Sequence, residues 1–134
     1  MKLKSFDFVV YAGADKPNLL VDVKGRKVTG RAGQTRASFQ TWVTRDDVRC
    51  LSRWSELFGE GFTACFLWLY WCDSQPPDAL FHEVFCFGDR WYAVLATTLG
   101  DYQQHMRDRS AKWDTVSVRA ADFGRIATPL ASLL

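Results

Sequence analysis

Two early stretches of the chain read as strands: Phe6–Tyr11 and Asn18–Lys24, each rich in β-branched and aromatic residues, joined by the turn-rich "AGADKP". A long run follows in which glycine and small polar residues replace any apolar period, "GRKVTGRAGQTRASFQTW". Thr44 then has the character of a helix N-cap, and Asp46 and Asp47 fall in the first turn, where the helix dipole favours acids. Val48, Leu51, Trp54 or Ser55, and Phe58 recur at helical spacing, and Gly59 closes the helix. Phe62–Cys72 is unbroken apolar and aromatic sequence and reads as a strand buried on both faces, with helices covering it. His82–Phe87 and Trp91–Ala96 flank a Gly-Asp hairpin signal. "TTLGDYQQHMRDRSAKW" predicts a short, partly broken helix, Thr115–Val118 a last strand, and the tail only short helical turns around Pro129. The order predicts an α/β fold: a mixed central sheet with flanking helices, the first helix returning along one face, in a single domain over residues 1–134.

The bulk numbers fit this picture. Of 134 residues, 48% are hydrophobic and 15% aromatic, enough for a real core. The net charge of +2 says little, but its distribution says more. Between Gly25 and Arg45 there is no acid, while Arg26, Lys27, Arg31, Arg36 and Arg45 are cationic, a field suited to a polyanion as well as to a solvated loop. The four cysteines form no C-x-x-C pair, which argues against a zinc ribbon or a thioredoxin-type site. Cys50, Cys65 and Cys72 are expected as buried free thiols, pointing to a reducing compartment. "MKLKSFD" lacks a signal-peptide core, and the longest apolar run is too short for a membrane helix, so a cytoplasmic location is expected.

The strands raise a chemical question, because each carries an aspartate. Leu20, Asp22 and Lys24 share one strand face; Asp7, Val9 and Tyr11 share a face of the other strand. A hairpin with Tyr11 opposite Asn18 sets Asp7 opposite Asp22, with Cβ atoms roughly 4.5–5.5 Å apart. Two carboxylates that close repel, and one must take a proton unless a cation intervenes. Mg²⁺ suits such a site, since it takes one or two carboxylates with other oxygens, and the backbone carbonyl of Val23 is available. Lys24 would then stabilise charge on a phosphate or orient an attacking water. The plainer alternative is an Asp22–Lys24 salt bridge on an exposed sheet face.

The arrangement "FDFVVY…LLVDVKGRK", followed by "RDDVRCLSRWSELFGEGFTACFLWLYW", resembles the PD-(D/E)XK nuclease superfamily, whose members include restriction endonucleases and Holliday-junction resolvases. The likeness extends to about Cys72. More narrowly, the hairpin is similar to that of an uncharacterised family named for an H-Y-E-x-A-F-E motif upstream of a D…D-x-K pair. The resemblance implies a restriction-endonuclease-like core, a metal-dependent nuclease using Mg²⁺ or Mn²⁺, Asp7 and Asp22 as metal ligands with the Val23 carbonyl, and Lys24 as the catalytic lysine. The superfamily usually opens with a helix that adds an acid to the site; here no acid precedes Asp7, and the H-Y-E-x-A-F-E segment is absent. A sheet face left open would favour a homodimer. The partner implied is nucleic acid, expected as DNA, held by Arg26, Lys27, Arg31 and Arg36, with Trp42 as a stacking residue. The alternative function is a non-catalytic nucleic-acid- or protein-binding module on the same fold. His82 and His105 lack ligand spacing, "GRAGQTRAS" lacks the lysine of a phosphate loop, and Ser38 and Ser52 lack a triad context.

Overall fold

A computed structural model of the chain describes residues 2–28, 39–72 and 83–134. Strand β1 (Phe8–Val10) is shorter than its sequence pattern, and β2 (Asn18–Lys27) is longer. They pair antiparallel with Phe8 opposite Val21 and Val10 opposite Leu19, the register expected from the sequence. Strand β3 (Val43–Thr44) leads into helix α1 (Arg45–Phe58). Thr44 caps α1 and Gly59 ends it with a φ of 77°, a backbone conformation that favours glycine. Strand β4 (Phe62–Cys72) returns parallel to β2, so α1 is the crossover helix between them. Strands β5 (Glu83–Phe87) and β6 (Arg90–Thr98) form the expected hairpin, with β6 antiparallel to β4. The sheet order is β1-β2-β4-β6-β5.

Of the remainder, the strand expected from Thr115 is present, and the rest departs from the sequence pattern. The predicted broken helix divides into helix α2 (Leu99–His105) and strand β7 (Arg107–Ser110). Strand β7 pairs with β8 (Thr115–Ser117), and β8 pairs with β3, forming a second sheet in the order β3-β8-β7. The tail holds a true helix, α3 (Ala120–Ile126), and a single 3₁₀ turn (Leu130–Leu133).

Among the described residues, α-helices cover one face of the large sheet. On that face Phe66, Trp68 and Tyr70 of β4 meet Val48 and Leu51 of α1, Tyr102 of α2 and Phe123 of α3. Burying side chains of this size stabilises the fold by roughly 2–3 kcal/mol each. The polar atoms of this aromatic cluster are matched: Trp68 Nε1 donates to Thr97 Oγ1 at 3.0 Å, and Tyr102 Oη donates to the Thr41 carbonyl at 2.6 Å. On the opposite face Leu19, Val21 and Cys65 are covered by Leu130 and Leu133 of the terminal turn. That turn is tied down by a bridge between Ala96 and Thr128 and by Glu83, whose carboxylate accepts the Leu130 N–H at 2.7 Å. Beyond it Leu67, Leu69 and Trp71 stay partly exposed, so β4 is not sealed on both sides as its unbroken apolar run suggests. Cys50 and Cys65 are buried free thiols as expected, Cys72 is buried, and Cys86 is exposed. None of the described helices is long and apolar enough to cross a membrane.

Candidate functional site

Alternation along β2 sets the site. Leu20, Asp22, Lys24 and Arg26 point to the helix-covered face, and Leu19, Val21 and Val23 to the other. The parallel register places Asp22 beside Phe66, Lys24 beside Trp68 and Arg26 beside Tyr70. Polar chemistry therefore runs along a strand whose neighbour is entirely aromatic at those positions.

Asp7 sits just before β1, where the regular ladder ends. Continuing the register would set it opposite Asp22. Instead its N–H donates to the Val21 carbonyl at 3.0 Å, and its Oδ2 accepts the Val23 N–H at 2.6 Å. The carboxylate thus replaces a backbone carbonyl and straddles Asp22. It remains within hydrogen-bonding reach of the Asp22 carboxyl. The N–H and C=O of one strand residue face the same neighbour, so the Val23 carbonyl is also turned toward Asp7.

The Asp22 carboxyl is pushed up to about 6. Burial is the main cause, Lys24 opposes it, and the nearby Asp7 adds to it. Below about pH 6 a proton on Asp22 relieves the conflict between the two carboxylates, and above it Lys24 Nζ, 3.3 Å from Asp22 Oδ2, offsets the charge.

A third carboxylate, unforeseen from the sequence, comes from α1. Asp47 completes a capping box: its N–H donates to Thr44 Oγ1 at 3.0 Å, and its Oδ2 accepts the Thr44 N–H at 3.1 Å. The same Oδ2 is 3.1 Å from Lys24 Nζ, and Oδ1 is 3.7 Å from Lys4 Nζ. Burial would raise the Asp47 carboxyl, but Lys24 and the Thr44 hydrogen bonds outweigh it and hold the group below its ordinary range. The sequence shows Asp47 as a first-turn acid. That a crossover helix starts beside the C-terminal half of β2, within reach of Lys24, is a property of the tertiary fold.

Residues 2–7 close the cluster from above. Trp54 Nε1 donates to the Lys4 carbonyl at 2.8 Å, and Phe6 packs edge-on against Trp54 and Phe58 with ring centroids 5.5 and 5.7 Å away. Beneath lies a cavity of about 130 Å³ whose wall includes Asp22, Lys24, Asp47 and Trp54, with room for several waters.

The other predicted residues are dispersed. Arg26 continues the row on the same face; its Nη2 donates to the Trp42 carbonyl at 2.7 Å and its guanidinium stacks 3.8 Å from the Trp42 ring centroid. The indole proposed for base stacking therefore already carries a guanidinium. Lys27 lies on the opposite sheet face, 4.9 Å from the Trp71 ring centroid. Arg31, Arg36 and His82 lie outside the described residues. His105 is a helix-end residue whose ring nitrogen contacts the Asp101 carbonyl.

The donor set suits a small hard cation. The Asp7 and Asp22 carboxyls interact, and Asp7 also binds Val23, whose carbonyl would be the third oxygen. Two carboxylates and a carbonyl match the oxygen chemistry of Mg²⁺ or Mn²⁺. Among the described residues no group of three or more His, Cys, Asp or Glu side chains gathers as an all-protein metal cage. Comparison with family models, with curated proteins and with solved structures finds no match to this chain.

Proposed function

We propose that this chain is a metal-dependent nuclease that hydrolyses phosphodiester bonds in nucleic acid, on a core like that of the PD-(D/E)XK superfamily. The observation that carries the reading is the convergence of Asp7, Asp22 and Lys24 at one point of a hairpin. It is supported by the order of elements, in which the D-x-K strand feeds a crossover helix and then a parallel neighbouring strand. Asp7, Asp22 and the Val23 carbonyl would hold Mg²⁺ or Mn²⁺, which supplies Lewis-acid polarisation of a phosphoryl oxygen. Lys24 places a positive charge where negative charge develops on phosphorus, and Asp47 fixes its position.

The second reading, a non-catalytic module that binds nucleic acid or a protein, is favoured by one feature. Lys24 is already shared by Asp22 and Asp47, and Asp7 is already engaged by a backbone N–H. Wild type, Lys24→Ala and Asp22→Asn should be compared on plasmid and branched DNA with Mg²⁺, Mn²⁺ or EDTA. The nuclease reading expects cleavage by wild type that requires the metal and drops by about 10²-fold or more in both variants. Equal cleavage by all three proteins, or cleavage in EDTA, refutes it. Salt-sensitive binding without cleavage selects the second reading.

A further inference from the structure

The second sheet carries a cleft of about 310 Å³ between β7, β8 and the segment before β3. Its walls hold Arg107, Arg109 and Arg119 with Ser117 and Trp42; among the described residues no acidic side chain lines it. Alternation explains the segregation. On β7, Arg107 and Arg109 face the cleft, and Asp108 between them pairs with Arg45 instead. Asp114, the other acid nearby, also pairs with Arg45. The acids on this sheet are thus spent on one arginine outside the cleft, and the cleft arginines are left without an ion pair among the described residues.

Their backbone is held firmly. Thr41 Oγ1 donates to the Val118 carbonyl at 2.8 Å and accepts the Val118 N–H at 3.0 Å, which anchors the residue before Arg119. Arg109 reaches Thr115 Oγ1 at 3.3 Å and lies 5.3 Å from the Trp42 ring centroid, the same ring on which Arg26 stacks. Arg26 Nε is buried and has no hydrogen-bond partner. One indole therefore gathers two guanidiniums, and two more stand beside it. Like charges gathered without acids destabilise a fold unless an anion joins them.

We infer that the Arg107–Arg109–Arg119 cleft is a phosphate-backbone site that grips the nucleic acid away from the Asp7–Asp22–Lys24 cluster. This rests on the function proposed above and names a part of the substrate path that the hairpin does not contain. Guanidiniums offer forked donors matched to phosphate oxygens, Ser117 adds a hydroxyl, and the Trp42 ring already carries Arg26. The grip is therefore on the backbone and independent of sequence. Arg26 lies four residues beyond Asp22 on β2, about 13 Å along the strand. Its guanidinium stacks on Trp42 in the cleft wall, so the cleft lies toward this end of the strand and away from the Asp22 end.

The test is fluorescence anisotropy of labelled single-stranded and duplex oligonucleotides with the full chain in EDTA, over a salt series. The proteins are wild type, the triple variant R107Q/R109Q/R119Q and a charge-matched control, R53Q/R90Q/R125Q, on other surfaces. The cleft triple should lower the slope of log K against log salt by about 2 on a single strand, and the control by much less. Among the described residues the Arg107 and Arg119 side chains form no hydrogen bond or ion pair, so R107Q/R119Q carries the test if the triple does not fold; its slope should fall by about 1.4. Equal loss in cleft and control variants, no binding by wild type, or full competition by polyglutamate overturns the inference. Because EDTA separates binding from cleavage, arginine-dependent binding with no cleavage by wild type would leave this site standing and remove only the nuclease reading.

Discussion

Replacing Asp22 with asparagine should make the protein more stable at neutral pH. The Asp22 carboxyl, half-buried against the cavity, titrates at about 6 in the folded chain against an ordinary 3.8. The folded protein therefore holds the proton more tightly than the unfolded chain does, and ionisation costs folding free energy. That cost is absent well below the ordinary value, grows between the two, and is complete above about 6. At 1.36 kcal/mol for each pH unit the full shift would be worth about 3 kcal/mol, and solvent screening of a half-buried group reduces this to about 1–2 kcal/mol. Asparagine has the shape of the protonated carboxyl and never ionises. D22N should thus exceed wild type by about 1–2 kcal/mol at about pH 8, a rise in Tm of roughly 5 °C for a chain of this size. At about pH 4 the gap should shrink to well under 1 kcal/mol. Urea and thermal melts in EDTA across this range measure it. A pH-independent gap, or D22N weaker than wild type at the alkaline end, refutes the reasoning. Saturating Mn²⁺ should then lift the wild type toward D22N and leave the variant unmoved, because a cation that binds only the folded protein adds to its stability.

Asp47→Ala removes both the capping box and the Lys24 partner, and should cost about 1–2 kcal/mol at neutral pH. Because the Asp47 carboxyl is held below its ordinary range, this loss should fade as acid protonates the wild type, which melts at descending pH will show. Tyr102→Phe leaves the Thr41 carbonyl short of a donor in the core and should cost roughly 1–2 kcal/mol by denaturant titration, with little change in the near-surface site.

What could be read ahead of the structure was what is encoded locally. Period-2 alternation located β2 and its polar face, the Thr44 and Gly59 signals bounded α1, and the turn between the first strands set their register. The same logic misjudged β4, because an unbroken apolar run specifies burial without saying what covers each face; among the described residues a short terminal turn is what reaches the far side. The second sheet escaped because its signals are minimal. Arg107–Ser110 is wholly polar, Val43–Thr44 is two residues long, and their pairing depends on contacts between distant parts of the chain. Asp47 was visible as a helix-start acid. Its meeting with Lys24 was not, because no local rule says which strand residue lies opposite the first turn of a crossover helix.

Strand β2 also makes chain length a constraint of its own. Even-numbered positions carry the charged row and odd-numbered positions the apolar seal beneath Leu130 and Leu133. Inserting or deleting one residue in its middle would send every side chain beyond that point to the wrong layer. Single substitutions within β2 would each disturb one contact, whereas a one-codon insertion would exchange the charged row for the hydrophobic seal. In a mutational scan this strand should therefore tolerate changes of letter far better than changes of count, and that contrast would itself trace where the two layers divide.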